Sequence, residues 1–175
     1  AGLGRRTSLT MRFALASVIA ALFGVLLPQV MGIGYDSVNA ALLDNIGMLL
    51  LLFLIGGKLL ATSLSIGLGI PGGMIGPSLF IGAVTGALVA KLFALAGLDV
   101  DVGLFALLGM GAMMAGSLQA PLAALTAMLE LTDNPAVILP GMLAVVVAGL
   151  TASELFRKES LFVTMLRAGG RDYDA

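Results

Sequence analysis

Residues 67–77 read Gly67-Leu68-Gly69-Ile70-Pro71-Gly72-Gly73-Met74-Ile75-Gly76-Pro77, five glycines and two prolines in eleven positions, within a run that carries no charge from 59 to 90. No continuous helix passes through such a stretch. Proline removes a backbone donor and clashes with the preceding turn, and each interior glycine costs about 1 kcal/mol relative to alanine. In hydrocarbon, backbone that leaves the helix must bury its polar groups in protein or line a polar cavity, so the stretch joins two helices inside a membrane-spanning run. Pro77 suits the first turn of the second helix, where a missing N–H costs least. The N–H groups just before it then lie at the positive end of a helix and can hold an anion.

Outward from this break, the 175 residues are 59% hydrophobic and only 11% charged, with a mean hydropathy of +1.11. Charge-free runs cover 13–35, 59–90, 102–129 and 134–153. A helix needs about 20 mostly apolar residues to cross a bilayer core, and all four runs reach that length. An integral membrane protein is the reading. A soluble helical core would need polar outer faces that these runs lack, and a removable leader after Arg5, Arg6 and Arg12 would leave the later runs unexplained.

The chain has no His and no Cys. Imidazole bases, thiolate nucleophiles, zinc clusters and disulfides are thereby excluded, and no metal or cofactor is expected. A formal charge of -1 offers nothing to coat a nucleic acid. An intramembrane enzyme would need a serine paired with Lys58, and no motif brings one within reach, so the chain is not expected to be an enzyme.

Breaks and periodicity place helices at about 11–30, 37–43, 46–66, 76–96, 102–117, 120–131, 136–153 and 160–169. The opening Ala1, Gly2, Gly4, Arg5 and Arg6 read as a connecting loop, which suggests a piece of a longer chain. Asp36 and Ser37 offer N-caps for the second helix. Lys58, alone in its apolar helix, either snorkels or faces an aqueous vestibule, with the structural role preferred. Gly82 and Gly86 form a GxxxG pair, read as internal packing rather than self-association. Gly109, Gly111 and Gly116 thin the next helix, and Pro121 opens a shorter one. Arg5, Arg6 and Arg12 at one end and Arg157, Lys158, Arg167 and Arg171 at the other favour cytosolic termini. The fold class expected is all-α: a polytopic membrane protein with uneven, broken and re-entrant helices. Discontinuous helices can bind an anion near the midplane without placing a full cation in hydrocarbon, which favours transport. The alternative is a non-transporting assembly module in which Gly82, Ala83 and Gly86 serve only helix packing.

Residues 69–86, Gly-Ile-Pro-Gly-Gly-Met-Ile-Gly-Pro-Ser-Leu-Phe-Ile-Gly-Ala-Val-Thr-Gly, closely resemble the second-half signature of the chloride-channel (CLC) family of channels and proton-coupled exchangers. Its Gly-x-Phe-x-Pro core is here Gly73-Met74-Ile75-Gly76-Pro77, with isoleucine where the family has an aromatic ring. The stretches 109–117, 119–122 and 128–134 resemble later family helices in the same order. The resemblance implies the C-terminal half of an inverted-repeat membrane domain, a partner N-terminal half in the same domain, and an anion site fed by main-chain N–H groups of Met74 and Ile75.

Further implications follow from the same resemblance. In Ser160-Leu161-Phe162-Val163-Thr164, Phe162 stands where the family usually supplies a tyrosine hydroxyl to the central anion. The ring keeps a constriction and a positive edge but has no O–H donor. Glu130 is read as structural, because the family's gating and proton-relay glutamates lie in the other half. The family is homodimeric, and the helices at 120–131 and 136–153 imply an interface with Leu125, Leu129, Ile138 and Leu139 as candidates. The expected cargo is chloride or a related inorganic anion, with protons counter-transported in the exchangers, in a bacterial inner membrane.

Overall fold

The computed structural model describes residues 9–32, 34–68, 72–132, 134–157 and 159–168. Arg5, Arg6, Pro71, Asp133, Lys158, Arg171 and Tyr173 lie outside the described residues. Among those described, regular structure is entirely helical: α1 (Leu9–Leu26), α2 (Tyr35–Leu42), α3 (Met48–Gly67), α4 (Ile75–Leu95), α5 (Val102–Leu118), α6 (Pro121–Thr132), α7 (Ile138–Leu150) and α8 (Leu161–Ala168). Short 3-10 turns at Pro28–Val30 and Pro135–Val137 follow α1 and precede α7, and a π turn at Thr151–Leu155 extends α7.

Among the described residues, three stretches are long and apolar enough to cross a membrane: Met48–Gly67, Ile75–Leu95 and Pro135–Leu155. The charge-free run 102–129 is divided between two shorter apolar helices, α5 and α6. The division falls at Gln119, which ends α5 in the left-handed conformation, before Pro121 opens α6. The first run also departs from a single helix over 11–30. Helix α1 stops at Leu26 because Pro28 has no N–H to continue the ladder, and the chain tightens into the 3-10 turn.

The caps expected at Asp36 and Ser37 are not formed. Helix α2 begins at Tyr35, two residues earlier than that reading, with Gly34 as its N-cap at φ +79° and no side-chain cap bond. Asp36 lies in the first turn, and Ser37 Oγ donates to the Gln29 carbonyl at 3.2 Å. Glycine is needed at 34 on two counts: the positive φ, and the Phe80 ring, which packs where a Cβ would stand. At α5 the expected start is met by a true cap, Asp101 Oδ1 accepting from the Leu104 N–H at 3.2 Å.

Helix α4 is the centre of the molecule. Its face Phe80, Ala83, Val84, Ala87 and Ala90 is fully enclosed, and it packs most closely on α5 through Ala106, Leu107, Met110 and Met114. The approach is backbone to backbone. A Cβ on Gly82 would collide with the Gly109 carbonyl oxygen and lie 2.8 Å from Met110 Cα, and one on Gly109 would meet the Gly82 carbonyl. The GxxxG pair is therefore consumed within the chain. Met128 of α6 fills the next layer, its sulfur lying where a Cβ on Gly111 would go and its methyl 2.9 Å from the corresponding position on Gly141 of α7.

Lys58 neither snorkels nor opens to water. It is 3% exposed, and Nζ donates to the carbonyls of Val30 and Gly32, each at 2.7 Å, while lying 4.8 Å from the centre of the Phe80 ring. Its partners are the carbonyls that the 3-10 turn and the following bend leave unpaired, so the lysine pins that turn onto α3 and α4. Arg12 does the same for the end of α3, its Nε donating to the Leu68 carbonyl at 2.6 Å. Lys91 of α4 pairs with Asp44 at the turn after α2.

Candidate anion site

The break at 67–77 resolves into a helix end and a helix start. Helix α3 stops at Gly67, capped by Leu68, and α4 starts at Ile75 with Met74 as its N-cap. Ile75 and Gly76 thus hold the first two helical positions, whose N–H groups have no partner within the helix. Pro77 brings no N–H at all. The next donor, Ser78 N–H, is already bonded to the Met74 carbonyl at 3.1 Å. The donors that the helix itself does not use are consequently concentrated at its very tip.

That tip faces α8. Gly72, Gly73, Met74, Ile75 and Gly76 line one side of an open cleft of about 630 Å³, and Phe162, Met165 and Leu166 line the other. Of the residues expected at the site, Gly73, Met74, Ile75, Gly76 and Phe162 are brought together here. Pro77 falls behind them, in a second cleft of about 250 Å³ that shares Gly72 and Gly73 and is also lined by Lys58, Thr62 and Ser65. Phe162 is 46% exposed, its ring free to the cleft. The first cleft is walled by apolar side chains and main chain, with no ionisable side chain among its lining residues. Such a wall can offer an anion amide dipoles and an aromatic edge, without a fixed counter-charge that would hold it tightly.

Helix α8 follows a hydrogen-bonded serine that motif reading passed over. Ser160, 9% exposed, accepts from the Phe162 N–H at 3.3 Å and donates to the Leu118 carbonyl at 2.9 Å. The signal was present in the sequence, a serine immediately before an apolar helical run. Among the described residues, Lys58 Nζ donates its hydrogen bonds to the Val30 and Gly32 carbonyls. Glu130 is exposed near the end of α6.

The four candidate interface residues divide. Leu125 packs inward, 3.6 Å from the Cβ position of Gly141. Leu129 and Ile138 are half-buried, and Leu139 is 79% exposed. Leu122 of α6 and Met142 and Leu143 of α7 are exposed as well.

Fold and site together define an integral membrane protein built on discontinuous helices, with a helix start opposed to an aromatic ring. The voltage gated chloride channel family matches residues 3–153, and the chain belongs to that family. It is 34% identical over 151 residues to the H(+)/Cl(-) exchange transporter ClcA of Klebsiella pneumoniae (strain 342), covering 85% of this chain and 32% of the relative. It is 33% identical over 150 residues to the transporter of the same name from Salmonella agona (strain SL483), with the same coverage. The chain therefore spans about a third of the length of these curated relatives. In fold it is similar to the crystal structure of a slow cyanobacterial Cl-/H+ antiporter, with a TM-score of 0.66 at 22% identity, covering 98% of this chain and 50% of that one.

Proposed function

We propose that the intact protein carries chloride or a related inorganic anion across a bacterial cell membrane, as a channel or a proton-coupled exchanger, and that this chain supplies the C-terminal half of its membrane domain. The observation that carries the reading is the convergence of the α4 tip and Phe162 on one cleft. The relatives' names, H(+)/Cl(-) exchange transporter, support the same cargo. The Met74 and Ile75 N–H groups, joined by that of Gly76, act as the donors, Gly73 leaves room for the anion to approach them, and Pro77 keeps the helix start in place. Phe162 narrows the opposite wall. The N-terminal half of the same domain completes the path, and a second copy packs on the α6–α7 surface around Leu125, Leu129, Ile138 and Leu139.

Chloride efflux from liposomes reconstituted with the full-length protein tests this. Anion-dependent efflux above that of protein-free vesicles is expected, and a folded preparation that passes none would sink the proposal. Within it, Phe162→Tyr restores a hydroxyl donor beside the anion. A neutral donor gained at a charged acceptor, less the cost of ordering the phenol, is worth about three- to tenfold in affinity. Calorimetric titration of chloride should register that tightening, and an unchanged constant would remove Phe162 from the anion's immediate surroundings.

The packing-only alternative draws on the backbone-to-backbone crossing at Gly82, Gly86 and Gly109. Bromide density beside the Met74 and Ile75 amides in crystals of the full-length protein would count against it, and its absence at saturating bromide would favour it.

A further inference from the structure

We infer that Ser160 is the positioning residue of the anion site, a single hydroxyl that locks the start of α8 to the end of α5 and so fixes where Phe162 stands. The inference rests on the functional reading above for its consequence, and on the geometry for its substance. A serine hydroxyl has one proton and two lone pairs. Here the proton goes to the carbonyl of Leu118, the last residue of α5, and a lone pair receives the N–H of Phe162, in the first turn of α8. Both groups belong to helix ends, which leave such carbonyls and N–H groups without intrahelical partners. One buried side chain satisfies both. The Ser160 carbonyl also accepts from the Thr164 N–H at 3.0 Å, which makes the residue the N-cap of α8 as well as its tether.

The tether has little competition. Helix α8 is eight residues long, too short to persist by itself, and among the described side chains Leu161 and Met165 pack against the core. Two further polar bonds, Arg167 to Glu159 at 2.7 Å and Thr164 Oγ1 to the Ser160 carbonyl at 3.2 Å, stay within its own stretch of chain and do not join it to α5. A pivot or roll about the cap carries Phe162, two residues on, across the mouth opposite the α4 tip. Losing the hydroxyl leaves a carbonyl and an N–H unpaired in a buried site, and α8 must turn or shift to find them partners.

The test compares Ser160→Ala, Ser160→Thr and Ser160→Asp in the full-length protein. Threonine keeps both bonds. Aspartate caps α8 but has no proton for the Leu118 carbonyl. Aspartate, which gives up one of the two bonds, should weaken chloride binding about three- to tenfold and alanine, which gives up both, at least as much, while threonine retains wild-type binding. In a Phe162→Ala background the Ser160→Ala effect should vanish, because Ser160 acts through the ring. An alanine effect that persists in that background, or aspartate binding equal to threonine, overturns the inference. Should alanine not yield folded protein, the aspartate and threonine pair carries the comparison alone. A structure of Ser160→Asp separates this inference from the functional reading: a Phe162 ring in its wild-type place overturns the tether even if the protein moves anions, and a displaced ring supports it even if it moves none.

Discussion

Gly86→Leu is expected to leave no folded, monodisperse protein. At this position α4 rests on the main chain of α5: an added Cβ would collide with the Phe105 carbonyl oxygen and stand 2.9 Å from Ala106 Cα. Neither obstacle is the movable end of a side chain. The helices would have to separate, and the enclosed layer of Phe80, Val84, Ala87, Ala106 and Met110 would lose contact along with them. Overpacking against side chains costs about 1–3 kcal/mol. Against backbone, over two helices that form the centre of the core, the loss should exceed about 4 kcal/mol, a large share of the ~5–15 kcal/mol that holds a typical domain together. Gly56→Ala is the matching control, since nothing lies within 4 Å of its Cβ position and alanine favours the helix. Size-exclusion elution and thermal unfolding in detergent read both variants. A Gly86→Leu protein eluting as a single peak with the wild-type Tm would mean that α4 and α5 do not cross here.

How far such features could be read before the fold was seen depended on the distance over which their physics acts. The break at 67–77 was legible because glycine and proline act on the local backbone, and so was the start of α4 near Pro77. The packing face of Gly82 and Gly86 was legible because helical periodicity alone puts both residues on one side. Lys58 was not, since its partners are carbonyls 28 and 26 residues away that become available only when Pro28 ends α1. Nothing local says that a helix elsewhere will end with carbonyls to spare. The same holds for Gly34, whose cap conformation reads as a turn but whose contact with Phe80 belongs to the tertiary structure.

The site shows a similar division. Helix-start donors at 74–76 follow from proline placement, whereas the opposition of Phe162 to them came from family likeness and not from any spacing in this chain. Ser160 sits between these cases. Its capping of α8 is a local signal, but its bond to Leu118 spans 42 residues and depends on where α5 stops. The run 102–129 falls on the legible side: its length is enough to cross a bilayer, but Pro121 marks the split into helices at about 102–117 and 120–131 in the sequence itself. Its division into α5 and α6 follows from Pro121 and the left-handed Gln119, and leaves two helices short of a full crossing. Length measures what a charge-free run could span, and backbone breaks decide what it does span.

Replacing the Ile75 peptide nitrogen with an ester oxygen, by incorporating the matching α-hydroxy acid, should weaken chloride binding about 10- to 100-fold. The exchange deletes the N–H and keeps the isoleucine side chain, so it interrogates the main chain that the proposed site depends on. Ile75 holds the first helical position of α4 and lines the cleft. A hydrogen bond to a charged group is worth about 1.5–3 kcal/mol, which sets the expected range. The ester also makes the Met74 carbonyl a poorer acceptor for the Ser78 N–H that it now receives at 3.1 Å. That cost to the helix is controlled by an ester at Leu79, one turn further in, where the deleted N–H has an intrahelical carbonyl to lose and no anion to face. The Leu79 ester, which loses a helical hydrogen bond as well, should destabilise α4 at least as much, and only the one at Ile75 should reduce binding. Equal loss from both would reduce the α4 tip to a structural helix end, and no loss from either would move the anion away from it.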